Sequence, residues 1–262
     1  MTSAAMHIAR TGLDAQNERM RVISNNLANV NTTGFKRDRA AFETLAYQTI
    51  TANGAPSTSE TKYATGLNLG TGVRVQGTAK IDTQGSLQTT GNSLDLALDG
   101  DGFFQVQMPG GQIGYTRAGN FSRSPEGLMV TSEGYQVQPG ITIPQGATSI
   151  TIGSDGTVSA TVAGQTAPTQ IGQITLATFA NSAGLAPQSG NYLTETAASG
   201  APQVGVAGIE GRGSIRQGML EGSNVNVVEE MVDMIETQRA YEVNSKMISA
   251  TDQMLQYANQ NL

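Results

Sequence analysis

The stretch VVEEMVDMIETQRAYEVNSKMISATDQML, residues 227–255, decides the fold. Val227, Met234, Tyr241, Ile248 and Leu255 recur every seven residues, and Met231 joins the first turns. A heptad of this kind marks a helix that packs along a shared seam. Asn226 stands before it as a cap, and Glu229 three residues on makes a capping-box variant. Val228, Val232, Ile235, Val243, Met247 and Met254 flank the seam instead of lying on it. A helix that is apolar on more than one side needs more than one neighbour.

The other end carries a matching pattern. Met6, Ala9, Leu13, Gln16, Met20, Ile23, Leu27 and Val30 fall at alternating three- and four-residue steps, and only Gln16 interrupts the apolar run. This predicts a first helix from about Ser3 to Val30. Asn25, Asn26, Asn29 and Asn31 crowd its end and Gly34 follows. Asn and Gly tolerate left-handed backbone, so the cluster reads as a C-cap. Residues 35–39, Phe-Lys-Arg-Asp-Arg, are the most basic spot and read as a solvated connector. Two seams at opposite ends of the chain suggest helices that pair with each other, with neighbouring subunits, or with both.

Between them the chain is rich in glycine, 32 of 262 residues, nearly twice the usual share. Residues 51–72 lack a helical period and read as a long extended loop. Leu94, Leu96 and Leu98 alternate with Asp95, Ala97 and Asp99. Phe104, Val106 and Met108 alternate up to Pro109-Gly110-Gly111, and Ile113 and Tyr115 resume beyond it, a hairpin signature. A second hairpin is expected around Asp155-Gly156 and a further strand at Ile174 and Leu176. The expected fold is α+β: long N- and C-terminal helices packed as a coiled coil, with a central all-β domain rich in hairpins. The expected division is a helical domain of residues 1–33 and 223–262, connectors at 34–75 and 200–222, and a β-domain at 76–199.

Composition excludes several functions. The net charge is -6 with no basic run, which leaves nucleic-acid binding without an electrostatic footing. Seven Tyr, six Phe and no Trp leave few platforms for bases or sugars. Cysteine is absent, so no disulfide, thiolate metal site or thiol nucleophile exists. The single histidine, His7, cannot build a metal site alone. Asp95, Asp99 and Asp101 lack the Gly and Glu of a calcium loop, and Asp99-Gly100-Asp101-Gly102 reads as a turn. No glycine-rich nucleotide motif opens a helix. No apolar run approaches membrane-spanning length and no secretory signal opens the chain. The expectation is therefore a protein with no catalytic residue, no cofactor and no metal, not embedded in a membrane.

Three blocks carry a family resemblance. Residues 24–37, Ser-Asn-Asn-Leu-Ala-Asn-Val-Asn-Thr-Thr-Gly-Phe-Lys-Arg, resemble the N-terminal signature of bacterial flagellar rod and hook proteins. Residues 223–246 resemble the C-terminal signature of that family. Residues 92–104, with 115–121 and 127–130, are similar to its shared β-domain. The signature positions are Asn25, Asn26, Leu27, Asn29, Gly34, Phe35, Asn224, Val225, Gln238, Arg239 and Tyr241. Length and residues 141–156 are most similar to the distal-rod members. The resemblance implies a subunit of a hollow helical tube with paired terminal helices in its inner layer. It implies a homopolymer whose partners are proximal rod and hook proteins, the surrounding P- and L-ring proteins and the flagellar type III export apparatus. It also implies a place in the periplasm-spanning rod, reached without a cleaved signal peptide, and a stiffening role for residues 46–72. A proximal-rod subunit, a secreted peptidoglycan-acting enzyme and a soluble module with a coiled-coil handle are the alternatives.

Overall fold

The structure, a computed structural model, describes residues 2–54, 56, 64–164 and 167–260. Contacts divide the chain into two compact units. One holds Met1–Leu27, Asp38–Ala79 and Asn226–Leu262; the other holds Ala28–Arg37 and Lys80–Val225.

The first unit contains helix α1 (Thr2–Ala28), strands β1 (Asp38–Thr44), β2 (Tyr47–Thr51), β3 (Leu67–Gly70) and β4 (Val73–Lys80), and helix α2 (Val227–Gln260). Asn226 caps α2, its Oδ1 accepting the Val228 N–H at 3.1 Å. β1 pairs with β4 and β2 with β3, each as a separate two-stranded ribbon. Part of the expected loop is therefore strand: Tyr47 lies opposite Gly70, Gln48 opposite Leu69, and Thr51 opposite Leu67 across a bulge at Ile50. Residues 57–63 of that loop lie outside the described residues. Asn and Gly favour turns, so their local composition reads as loop, whereas the pairing joins Tyr47 to Gly70 and Thr51 to Leu67 from opposite sides of that stretch.

The second unit is a β-domain. Its strands are β5 (Leu87–Thr89), β6 (Leu96–Asp99), β7 (Phe103–Gln107), β8 (Ile113–Thr116), β9 (Ser122–Arg123), β10 (Met129–Val130), β11 (Gln136–Gln138), β12 (Ala147–Ile152), β13 (Thr157–Val162), β14 (Thr169–Gln173), β15 (Thr175–Thr178), β16 (Ala186–Pro187), β17 (Leu193–Thr194), β18 (Gln203–Val206), β19 (Ser214–Gln217) and β20 (Met219–Glu221). The main sheet runs β16-β17-β8-β7-β11-β10-β9, with β15 joining β7 to β18. Both expected hairpins form. β7 and β8 turn at Pro109–Gly111, and β12 and β13 turn so that Ile152 faces Val158. Asp155 tightens the second turn through the Thr157 N–H at 3.0 Å and the Thr157 hydroxyl at 2.7 Å. These bonds hold its carboxyl below the usual range.

β7 is buried on both sides. Phe104 and Val106 join a core with Leu96, Leu98, Val137, Ile174, Leu176 and Ile215, whereas Phe103 joins Tyr115, Ala177, Leu185 and Leu193. Simple alternation describes a half-buried strand, and here the sheet separates two clusters. The rings interlock edge-on, Phe104 on Phe121 at 5.1 Å and Tyr115 on Phe179 at 4.8 Å.

The basic spot is not a solvated connector. Lys36 is buried, and its Nζ donates to Glu221 Oε1 at 2.6 Å and to the Thr83 carbonyl at 2.8 Å. The Glu221 carboxylate is wholly buried and also accepts the Gly85 N–H at 3.0 Å, while Arg117 Nη1 lies 3.5 Å from its other oxygen. Burial lowers the pKa of Lys36 and the Glu221 carboxylate pulls it back up. Gly34 sits beside this group at φ +67, where a Cβ would lie 2.6 Å from the Ala118 backbone. Phe35 is buried under the Lys80 ammonium, 5.4 Å from its ring centre.

Two measurements test this unit. Glu221→Gln keeps the shape but leaves the Lys36 ammonium buried without its counter-charge, and urea unfolding should show a loss of about 3–5 kcal/mol. Burial, reinforced by Glu195, pushes the Tyr115 phenol up to about 12 from its ordinary 10.0. The folded state therefore keeps a proton that the unfolded chain releases. That contribution to stability is complete below pH 10 and is lost as pH rises to about 12. Comparing Tyr115→Phe with the parent across this window should show the parent losing about 2–3 kcal/mol more than the variant.

Candidate assembly surface

The two helices of the first unit meet through polar groups. Gly12, Arg19 and Asn26 lie at heptad spacing on α1. A Cβ at Gly12 would come within 3.1 Å of Asn244 Nδ2, so the backbone lies close to that amide. Arg19 Nη2 pairs with Asp233 Oδ1 at 3.1 Å. Asn26 Nδ2 donates to the Glu230 carboxylate at 3.2 and 3.3 Å. Positions on α2 fall as those on α1 rise, so the helices run antiparallel. The pairs mix strong and weak contributions. Arg19–Asp233 is half-exposed and worth about 0–1 kcal/mol, whereas Asn26 is fully buried.

Asn26 does more than touch α2. Its Nδ2 donates to the Asp38 carbonyl and its Oδ1 accepts the Asp38 N–H, both at 2.9 Å. The side-chain amide thus pairs with the start of β1 as a backbone amide would. Its role is a clamp on β1 and α2, not the cap read from the Asn cluster. In the β-domain Asn224 works the same way. Its Oδ1 accepts the Arg37 N–H at 2.7 Å, and its Nδ2 donates to the carbonyls of Ile81 at 2.7 Å and Thr83 at 3.0 Å. Nothing in the spacing of these two residues distinguishes them from ordinary turn asparagines.

The apolar positions divide sharply. On α1, Ala9 and Ile23 are buried and Met6, Leu13, Met20 and Leu27 half-buried; Val30 is half-buried in the other unit. On α2, Met234, Ile248 and Leu255 are half-buried, while Val227, Met231 and Tyr241 are exposed. Buried or half-buried polar residues alternate with that heptad: Glu230, Thr237, Asn244 and Thr251. The flanking residues Val228, Val232, Ile235, Val243, Met247 and Met254 all face solvent, Val228 with 69 % and Met254 with 65 % of their surface. Of the remaining signature positions, Gly34, Phe35 and Val225 are buried, Asn29 and Asn224 half-buried, and Asn25, Gln238 and Arg239 exposed.

The six flanking side chains thus depart from an ordinary surface helix, which buries its large apolar residues. An exposed apolar surface of this extent marks an interaction site. The ribbon of β2 and β3 adds to it, with Tyr47, Ile50, Leu67 and Leu69 exposed.

His7 is exposed, with its Nδ1 3.3 Å from the Thr71 carbonyl. Among the described residues, no group of three His, Asp or Glu could hold a metal ion. Two clefts of about 230 and 320 Å³ open in the β-domain, and neither is lined by a histidine. No helix among the described residues is long and apolar enough to cross a membrane.

Known proteins are similar to this chain along nearly its whole length. Residues 6–36 match the family described as flagella basal body rod protein, 97–160 the flagellar hook protein FlgE/F/G D1 domain, and 216–261 the flagellar basal body rod FlgEFG protein C-terminal. The flagellar basal-body rod protein FlgG of Buchnera aphidicola subsp. Acyrthosiphon pisum is 52% identical over 98% of both chains. The chain belongs to the flagellar rod and hook family. Caulobacter vibrioides offers two comparisons within one organism. Its flagellar basal-body rod protein FlgG is 48% identical over 98% of both chains, and its FlgF is 36% identical over 92% of this chain and 90% of its own. The N- and C-terminal matches take in the clamp residues Asn26 and Asn224 respectively.

Asn26→Leu should remove both hydrogen bonds to the Asp38 backbone at a cost of roughly 1–3 kcal/mol each. Hydrogen exchange of β1 should accelerate while exchange in the β-domain strands stays slow.

Proposed function

We propose that this chain is the structural subunit of the distal rod of the bacterial flagellar basal body. It polymerises into a hollow helical shaft that carries motor torque across the periplasm to the hook, and it is not an enzyme. One observation carries the reading: α2 turns Glu230, Asp233 and Asn244 toward α1 and leaves Val228, Val232, Ile235, Val243, Met247 and Met254 exposed to water. Burying one such side chain contributes roughly 1.5–3 kcal/mol, which only a neighbouring molecule can supply here. The higher identity to FlgG than to FlgF in the same organism supports the distal-rod reading.

In this reading the terminal segments, residues 1–33 and 223–262, pair as a coiled coil in the inner layer. Residues 76–199 form the outer β-domain. Met6, Ala9, Leu13, Met20, Ile23, Leu27, Val30, Val227, Met231, Met234, Tyr241, Ile248 and Leu255 supply its polymerisation seam. Contacts between subunits are heterologous, so growth is open-ended where an isologous contact would close at a dimer. Its neighbours are further copies of itself, proximal rod and hook proteins, and the surrounding P and L rings. It leaves the cell through the flagellar type III export apparatus. Residues 46–72 stiffen the shaft through added contacts between subunits. The net charge of -6 gives the outer face a repulsive bias against acidic neighbours.

Val232→Glu combined with Met247→Glu tests the proposal. Both side chains are about half exposed, so folding stability should change by no more than about 0.5 kcal/mol per site. Export should continue, whereas rod completion and swimming should be lost. Full motility in the double variant would refute assembly through this face. Locating tagged subunits near the motor end of purified basal bodies would replace the distal reading with the proximal one.

A further inference from the structure

The ribbon of β2 and β3 ends in a small reactive arrangement. Asn53-Gly54 is the only Asn-Gly pair in the sequence. Asn53 is exposed, and its Oδ1 accepts the Gly66 N–H at 2.7 Å. A Cβ at Gly66 would collide with that same oxygen and with the Thr51 carbonyl, so this approach requires glycine. Gly54 has φ +78, and the space its Cβ would fill is open.

The geometry points to Asn53 as a site of self-modification: its side-chain amide is converted to a carboxylate through a cyclic imide with Gly54. The Gly54 nitrogen, having given its proton to solvent base, attacks Asn53 Cγ and forms a C–N bond. Nδ2 takes up a proton and leaves as ammonia. Water then opens the imide at either carbonyl, giving aspartate or isoaspartate at residue 53. Overall, ammonia leaves, water enters and no electrons are transferred. As Cγ becomes tetrahedral, its oxygen gains negative charge, and that oxygen is the one already held by the Gly66 N–H. A donor placed on a developing oxyanion lowers the barrier to such a step. The missing Cβ of Gly54 removes the usual obstacle to the attacking nitrogen.

The two products act differently on the ribbon. Aspartate keeps an acceptor opposite Gly66 and strengthens that bond with its charge. Isoaspartate routes the backbone through Cγ, lengthens the turn by a methylene and withdraws the acceptor. Either adds one negative charge at the end of the ribbon where Thr51 pairs with the exposed Leu67. Residue 53 would thus record the age of a subunit on a surface offered to neighbours.

The test is incubation of the full-length protein at mildly alkaline pH, followed by peptide mapping that separates aspartate from isoaspartate. A buried donor of this kind is worth about a hundredfold or more, so at this wet site conversion of Asn53 about tenfold faster in the folded than in the urea-denatured chain is expected. Asn53 should also convert ahead of every other asparagine. Gly66→Ala should remove the acceleration. If it prevents the ribbon from forming, the folded-to-denatured comparison of the parent decides alone. Equal or slower conversion in the folded chain, or prior conversion elsewhere, overturns the inference.

Discussion

A single wholly buried carboxylate organises the β-domain. Glu221 ends β20, yet its side chain gathers Lys36, the Gly85 amide and Arg117 from three distant parts of the sequence. A buried charge costs several kcal/mol in desolvation, and only well-placed partners offset it. The requirement fixes more than these three groups. Glu221 also accepts the Gly34 N–H on its backbone carbonyl at 2.8 Å, so the segment after α1 is tied to β20 by main chain and side chain together. Gly34 and Phe35 are then constrained in turn, one by the lack of room for a Cβ and the other by burial. An apolar replacement would be cheaper but less particular about which segments meet.

The same preference for polar specificity recurs in the helical unit. Asn26 pairs with the Asp38 backbone and with Glu230, and Gly12 and Arg19 meet Asn244 and Asp233. Polar groups between packed helices set register at some cost in stability. The apolar side chains released from that duty face outward on α2. Weak intramolecular pairing and an uncovered apolar surface are two consequences of one arrangement. Both suit a subunit whose helices gain most of their burial from other molecules.

The β-domain has the opposite economy. β7 is covered on both faces, Leu96 and Leu98 are fully buried, and the aromatic contacts are edge-on. It satisfies itself, and the helical unit does not. This contrast separates a folded body from an assembly element within one chain.

Local pattern was enough for much of this. The helices at both ends, the Asn226 cap, the β7–β8 turn at Pro109–Gly111 and the Asp155-Gly156 hairpin follow from the period and chemistry of neighbouring residues, which act over a few positions. The absence of cysteine and of a second histidine likewise limited the available chemistry before any fold was known. Other features were decided only in three dimensions. Lys36 reads as a surface cation because its neighbours are charged; its burial depends on Glu221, 185 positions away. Asn26 reads as a cap because caps are the common local use of Asn; its clamp depends on β1 and α2. The outward turn of Val228, Val232 and Met247 was not legible because a helix apolar on several sides does not declare which side its own chain will cover. Burial and pairing are properties of what arrives from elsewhere in the chain, and periodicity carries no record of that.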